Sequence, residues 1–380
     1  LTTDANCPGG HCDIAVERSM FWGPNLEGST DATATKAPSP TWYFAEGSRG
    51  GELFNNYYLL FNPNNATVQV TGSYYRPWAN TAPTVITYNI GPQQRLTIDA
   101  NAIPQLANTD FSATFSASAN IIAERSMYWG WNGPDQMWTG GHGTMGATTT
   151  YPQWFFAEGN AASNFETFYL ILNPNPWPIR VTGDFLTEFS GRIIRQYEIQ
   201  AGTRATIYLN GEFGNIGPTA AVFTSQDNHP FLAERSIYWG NRVEGTNTVG
   251  ALTPAAAWHL PEGSTQSAFF TYAMVMNPNP FPVPVDVSVY AEGVGKFTLA
   301  NRPVIPALSR VTLDMRAVMN QLQAESGYPI ASTSFSTRIA VPSGSDPGIG
   351  IVVEHAMYWN FVNGQIYWRS GGASMGIPGF

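Results

Sequence analysis

Glutamate and arginine recur at fixed places in this chain. Glu46, Glu158 and Glu262 each stand four residues after a tryptophan, and Arg95, Arg204 and Arg310 each lead a later strand-like segment. Acid–base dipeptides close each pattern as Glu17-Arg18, Glu124-Arg125 and Glu234-Arg235, and Glu354-His355 takes the same place near the C-terminus. Two carboxylates facing each other across a cleft would do glycosidase chemistry, one as acid and one as nucleophile or base. The same residues would equally form an ion-pair and hydrogen-bond lock between sheets, which is how buried charge is tolerated. Repetition favours the lock, because one chain seldom carries three identical active sites in tandem. Neighbouring residues on a strand also face opposite ways, so Glu124 and Arg125 cannot share one pocket. The expected lock comprises Glu46, Arg95, Glu124, Arg125, Glu158, Arg204, Glu234, Arg235, Glu262, Arg310 and Glu354. No catalytic residue and no cofactor are expected.

Other reactive types are sparse. Cys7 and Cys12 in CPGGHC suit a disulfide at a hairpin tip and hence an oxidising compartment; with His11 they would make three metal ligands, one short of a zinc site. Trp131, Trp138 and Trp368 fall outside the repeated positions, which makes them the candidates for stacking on a glycan. Asn65 begins an Asn-Ala-Thr glycosylation pattern in a turn. The five histidines are dispersed over unrelated positions, and no serine-hydrolase, zinc-protease, phosphate-loop or calcium-loop motif is present.

These residues are carried by a repeat of about 110 residues. An opening phrase reads TWYFAEG at 41–47, QWFFAEG at 153–159 and AWHLPEG at 257–263; a closing phrase occurs four times, at 15–23, 123–130, 233–240 and 353–360. Between them run apolar segments stopped by Asn62-Pro63-Asn64, Asn173-Pro174-Asn175 and Asn277-Pro278-Asn279, where proline removes the ladder donor. The spacing predicts an all-β protein of tandem immunoglobulin-like or fibronectin-like sandwiches at 41–130, 153–240 and 257–376, with an extra hairpin at 1–23. A propeller is the rival, though its blades run nearer 40 to 50 residues. The second unit would close with a hairpin of 220–226 and 230–239, and 315–325 has helical spacing. Segments 24–40, 131–152 and 241–256 read as polar linkers.

Charged residues are only 12% of the chain, its net charge is −9, and two of its eighteen basic residues are lysines. So thin a basic content argues against nucleic acid, and the low surface charge leaves little repulsion against self-association. No apolar run is long enough to span a bilayer as a helix. The linked phrases WYFAEG, NPN and AERxMYW resemble a repeat of secreted and cell-surface bacterial proteins whose function is unknown. That resemblance implies an exported β-rich module used in multiples, with no catalytic residues to carry over. The third copy departs from it at His259-Leu260-Pro261 and His355-Ala356. The expected role is a non-enzymatic extracellular subunit of a surface layer, sheath or filament that contacts itself, with residues 1–23 docking in their own chain or donated to a neighbour. The alternative is a module that binds cell-wall or environmental glycan.

Overall fold

A computed structural model describes residues 14–23, 28–50, 54–130, 138–162, 164–359 and 370–379. It is an all-β structure of antiparallel sheets packed as sandwiches. The second unit is the most regular. One sheet orders Gln153–Phe156, Thr219–Ser225, Ile179–Thr187 and Arg192–Ile199; the other orders Thr203–Tyr208, Phe165–Asn173, Leu232–Trp239 and Glu244–Val249. Alternating burial along Ile179–Thr187 points Ile179, Val181 and Phe185 into the core. The third unit repeats this plan. In the first, one long strand, Ser112–Trp129, runs through both sheets.

In an immunoglobulin sandwich the first strand lies with the second and the last with the sixth. Here the first strand pairs with the sixth (Gln153–Phe156 with Thr219–Ser225) and the last with the second (Leu232–Trp239 with Phe165–Asn173). The segments 220–226 and 230–239 therefore form no hairpin, because the chain crosses the sandwich between them. A buried tryptophan ties each crossing: Trp42 donates to Ile121 O at 3.0 Å, Trp154 to Phe231 O at 2.7 Å and Trp258 to Ile351 O at 2.7 Å. The Asn-Pro-Asn stops are built the same way in all three units. Asn173 Nδ2 faces the carbonyls of Trp177, Ile199 and Gln200 at 2.9–3.1 Å, and Asn62 and Asn277 do likewise. The helix Met315–Ser326 is capped by Asp314, buries Met315, Val318, Met319 and Leu322, and ends on Gly327 at φ 76°.

The segments read as linkers hold the centre of the molecule. Gly28–Thr33, Gly140–Met145 and Glu244–Val249 are strands, and with Ser370–Met375 they make four axial strands, each packed on the next around a closed ring. Each pairs with a closing strand: Glu17–Trp22, the end of Ser112–Trp129, Leu232–Trp239 and Val352–Trp359. The linker reading fails because these strands are small and polar yet buried. Ser29 Oγ donates to Gly371 O at 2.7 Å, Thr144 Oγ1 to Asn247 Oδ1 at 2.6 Å and Thr246 Oγ1 to Ala373 O at 2.9 Å; the Gly143 amide donates to Thr30 Oγ1. Side-chain hydroxyls thus join neighbouring axial strands at all four seams.

The N-terminal hairpin is displaced from the expected 1–23. Glu17–Trp22 pairs with Gly28–Thr33, and the pair docks on its own chain between the first and third units, taking the fourth place in the ring. Residues 1–13 lie outside the described residues.

Candidate functional site

The repeated polar residues meet at the seams of this ring. Strand alternation makes the acid of each closing phrase face the preceding unit and the base face the following one. Arg18 Nη1 donates to Glu124 Oε2 at 3.0 Å, Arg125 Nη1 to Glu234 Oε2 at 2.8 Å, and Arg235 to Glu354. The circuit closes where His355 Nε2 lies 3.9 Å from Glu17 Oε1. Three arginine–glutamate pairs and this histidine–glutamate approach therefore form a cycle of acid–base contacts that runs once around the molecule.

The glutamate of each opening phrase joins the same seam. Arg125 also holds Glu46 through its carboxylate at 2.8 Å and its carbonyl at 2.9 Å, and Arg235 Nη2 stands 3.1 Å from Glu158 Oε2. The acid of the next unit caps the opening turn: Glu234 accepts from the Ala45 amide at 2.7 Å, and Glu354 from the Ala157 amide at 2.7 Å. Arg204 donates to Gly47 O at 3.0 Å, and Arg310 to Gly159 O at 3.2 Å, again across a seam. Arg125, Arg235, Glu234 and Glu354 are fully buried, so each charge survives only because its partner and backbone bonds survive.

The seams are not equivalent. Burial pushes Glu46 up, but His142, Arg125 and the Ser236 hydroxyl outweigh it and hold this carboxyl down at about 2. Glu158 has Ala356 in the place of Ser236 and no histidine in the place of His142; burial wins, and its carboxyl is raised. The seam between the third unit and the hairpin departs furthest. Pro261 replaces the alanine whose amide would cap Glu17, and His355 replaces an arginine. Glu17 accepts instead from Ser374, while its second oxygen has no hydrogen bond. Burial, followed by the neighbouring Glu17 and Glu262 carboxylates, pushes Asp31 up to about 7; burial lifts Glu17 to about 7 as well. On the axial strand of the second unit, burial raises Glu244 well above the ordinary range.

Of the residues expected in the lock, the structure brings Glu46, Arg125, Glu234 and Arg204 together at one seam and Glu158, Arg235, Glu354 and Arg310 at the next. Glu124 pairs with Arg18, and Glu262 accepts from Ser19. Arg95 is exposed and, among the described residues, donates to Thr97 within its own strand and takes no part in the lock. Its counterparts Arg204 and Arg310 each face a preceding sandwich, and among the described residues Arg95 faces none. Glu17, Arg18, Asp31, His142, Ser236 and His355 escaped the expected set. For Glu17, Arg18 and His355 the signal was their place in the closing phrase; Asp31 and His142 sit in segments read as linkers. Trp138 is half-buried and stacked on Tyr128 with ring centroids 4.9 Å apart. Asn65 is exposed and accepts from Gln93. Cys7, Cys12, Trp131 and Trp368 lie outside the described residues. Among the described residues, no group of three or more His, Cys, Asp or Glu is placed to hold a metal, and no helix is long and apolar enough to cross a membrane.

No family model and no curated protein matches this chain. Among solved structures it is similar to Thermotoga maritima 1070, with 16% identity and a TM-score of 0.25 over 29% of this chain and 94% of that one. It is similar to the Anabaena sensory rhodopsin transducer, with 15% identity and a TM-score of 0.20 over 24% and 97% of the two chains. A third likeness is to the major pilin from Streptococcus pyogenes, with 10% identity and a TM-score of 0.15 over 68% and 96%. Fold and site together define an all-β protein whose sandwiches are joined to one another by buried ion pairs and whose hairpin completes the ring around one axis.

Proposed function

We propose that this chain is a non-enzymatic structural module of an extracellular assembly, a subunit of a surface layer, sheath or filament. One observation carries the reading: the repeated carboxylates and guanidinium groups that would make an active site are bonded to one another around the ring. A ring built from a chain with only 12% charged residues, several of them buried in its seams, is suited to packing against copies of itself. The resemblance to secreted bacterial surface repeats supports the exported location. The hairpin's docking within its own chain supports assembly through outer surfaces, without exchange of residues 17–33 between molecules. Electron micrographs of the native material, with light scattering on the purified chain, test the proposal. Filaments or a lattice are expected; isolated particles of single-chain mass at all concentrations would count against it.

A further inference from the structure

Two clefts between consecutive sandwiches measure about 140 Å³ and 130 Å³, whereas the corresponding cleft between the third unit and the hairpin measures about 610 Å³. The two smaller clefts show which groups narrow them. Each is bounded on one side by the Glu-Gly of an opening phrase and on the other by an Arg-x-Thr strand of the next unit. Arg204 bonds Gly47 O and Thr206 Oγ1, and Arg310 bonds Gly159 O and Thr312 Oγ1. Each arginine also faces an acid of the preceding unit, Asp110 at 3.8 Å and Glu188 at 3.7 Å.

The open cleft keeps the receiving half of this arrangement. Glu262, Gly263 and Phe269 line it as Glu158, Gly159 and Phe165 line its neighbour. Glu292 stands where Glu188 stands: both amides bond the carbonyl before the sixth strand, Glu188 to Pro218 O at 3.0 Å and Glu292 to Ser334 O at 2.9 Å. Glu292 is exposed and has no ion pair among the described residues. Beside the cleft, Glu17–Trp22 pairs on one edge among the described residues, whereas the other three closing strands also carry Phe54–Phe61, Phe165–Asn173 and Phe269–Asn277 on the corresponding edge.

We infer that this cleft is a docking site for an arginine carried on an Arg-x-Thr strand of a polypeptide bearing the same repeat. The arginine would bridge Gly263 O and Glu292, and the companion strand would add to the free edge of Glu17–Trp22. A second intact copy cannot dock as the sister units do, because its own closing strand would have to stand where Glu17–Trp22 already stands. The occupant therefore supplies a sandwich without its closing strand. This goes beyond the assembly reading, in which copies pack through their outer surfaces, by naming the chemistry of a partner that is not an intact copy.

A blocked peptide with the sequence of residues 202–208, Gly-Thr-Arg-Ala-Thr-Ile-Tyr, probes the site. Its arginine resonances, titrated with the full chain, should broaden saturably with a Kd on the order of 1 mM. Affinity should fall at least tenfold for the peptide with citrulline at the arginine, and at least tenfold for the Glu292→Lys chain, while Glu198→Lys on a remote face leaves it unchanged. Non-saturable broadening, equal binding of the citrulline peptide, or binding indifferent to Glu292→Lys would overturn the inference. Filaments without peptide binding would remove this site alone, whereas peptide binding by a chain that never assembles would remove the assembly reading and leave the site standing.

Discussion

Arg125 Nη1 lies 2.8 Å from Glu234 Oε2, an ion pair between consecutive sandwiches in which both side chains are fully buried. Its counterpart Arg18–Glu124 has the same sequence origin, but the Arg18 side chain is 49% exposed. Breaking a buried pair strands the remaining charges, at a cost of about 3–5 kcal/mol, whereas an exposed pair contributes about 0–1 kcal/mol. Arg125→Met should therefore lower unfolding stability severalfold more than Arg18→Met. Urea denaturation of the two variants tests this, and equal losses would show that burial of the Arg125–Glu234 pair does not set its contribution.

The opening-phrase glutamates separate by charge preference. Glu46 is held ionised, with its carboxyl at about 2 against an ordinary 4.5, and Glu158 is shifted the other way. At neutral pH, Glu46→Gln removes a preferred charge and should cost about 3 kcal/mol. Glu158→Gln removes a charge that burial disfavours and should cost less than Glu46→Gln. Thermal melts of both variants give the order, and a larger loss at Glu158 would contradict the assigned surroundings.

The hairpin seam should loosen as pH rises. Glu17 and Asp31 titrate near 7 in the folded ring against 4.5 and 3.8 ordinarily, with Glu262 and His355 the other titratable groups facing them. Between those limits the folded seam holds protons that the unfolded chain releases, so stability falls as pH rises. The contribution is fully present below about pH 4, declines up to pH 7 and is gone above it, on the order of 3 kcal/mol for either group taken alone. Hydrogen exchange of residues 28–33 at pH 5 and pH 8, corrected for intrinsic rates, should show greater protection at pH 5. Asp31→Asn should flatten the difference, and a pH-independent profile would refute the assignment.

Three axial glycines lie beneath tyrosines. A Cβ at Gly141, Gly245 or Gly371 would fall 2.6–2.7 Å from Cδ1 of Tyr128, Tyr238 or Tyr358, the residue directly opposite. Gly245→Val should destabilise by about 1–3 kcal/mol through overpacking, and Gly245→Val with Tyr238→Ala should recover part of that loss. A silent Gly245→Val would show the axis to be looser than described.

The strands, their Asn-Pro-Asn stops and the buried tryptophans were legible because each carries a local signal of apolar alternation, a missing donor or a large side chain. The axis was not legible. Gly28–Thr33, Gly140–Met145, Glu244–Val249 and Ser370–Met375 are built of glycine, serine and threonine, which a sequence reading assigns to loops. They are strands because each pairs with a closing strand and the four meet around one axis, where serine and threonine hydroxyls bond the neighbouring strand. The lock was legible as a set of residues but not as a direction. That Glu124 and Arg125 face opposite ways follows from strand geometry, whereas their partners Arg18 and Glu234 belong to other units and depend on ring closure. Arg95 was misplaced for the same reason: its position repeats, but no described sandwich precedes it.

The central claim is that one chain closes the ring on itself. Hydrogen exchange of residues 28–33, followed from high to low protein concentration at fixed pH, tests it most directly. Docking within the chain predicts protection independent of concentration, down to dilutions at which every larger assembly has dissociated. Protection that disappears on dilution, while the sandwich strands Phe165–Asn173 and Phe269–Asn277 stay protected, would mean that the hairpin is held by a neighbouring molecule and that the ring is not closed by its own chain.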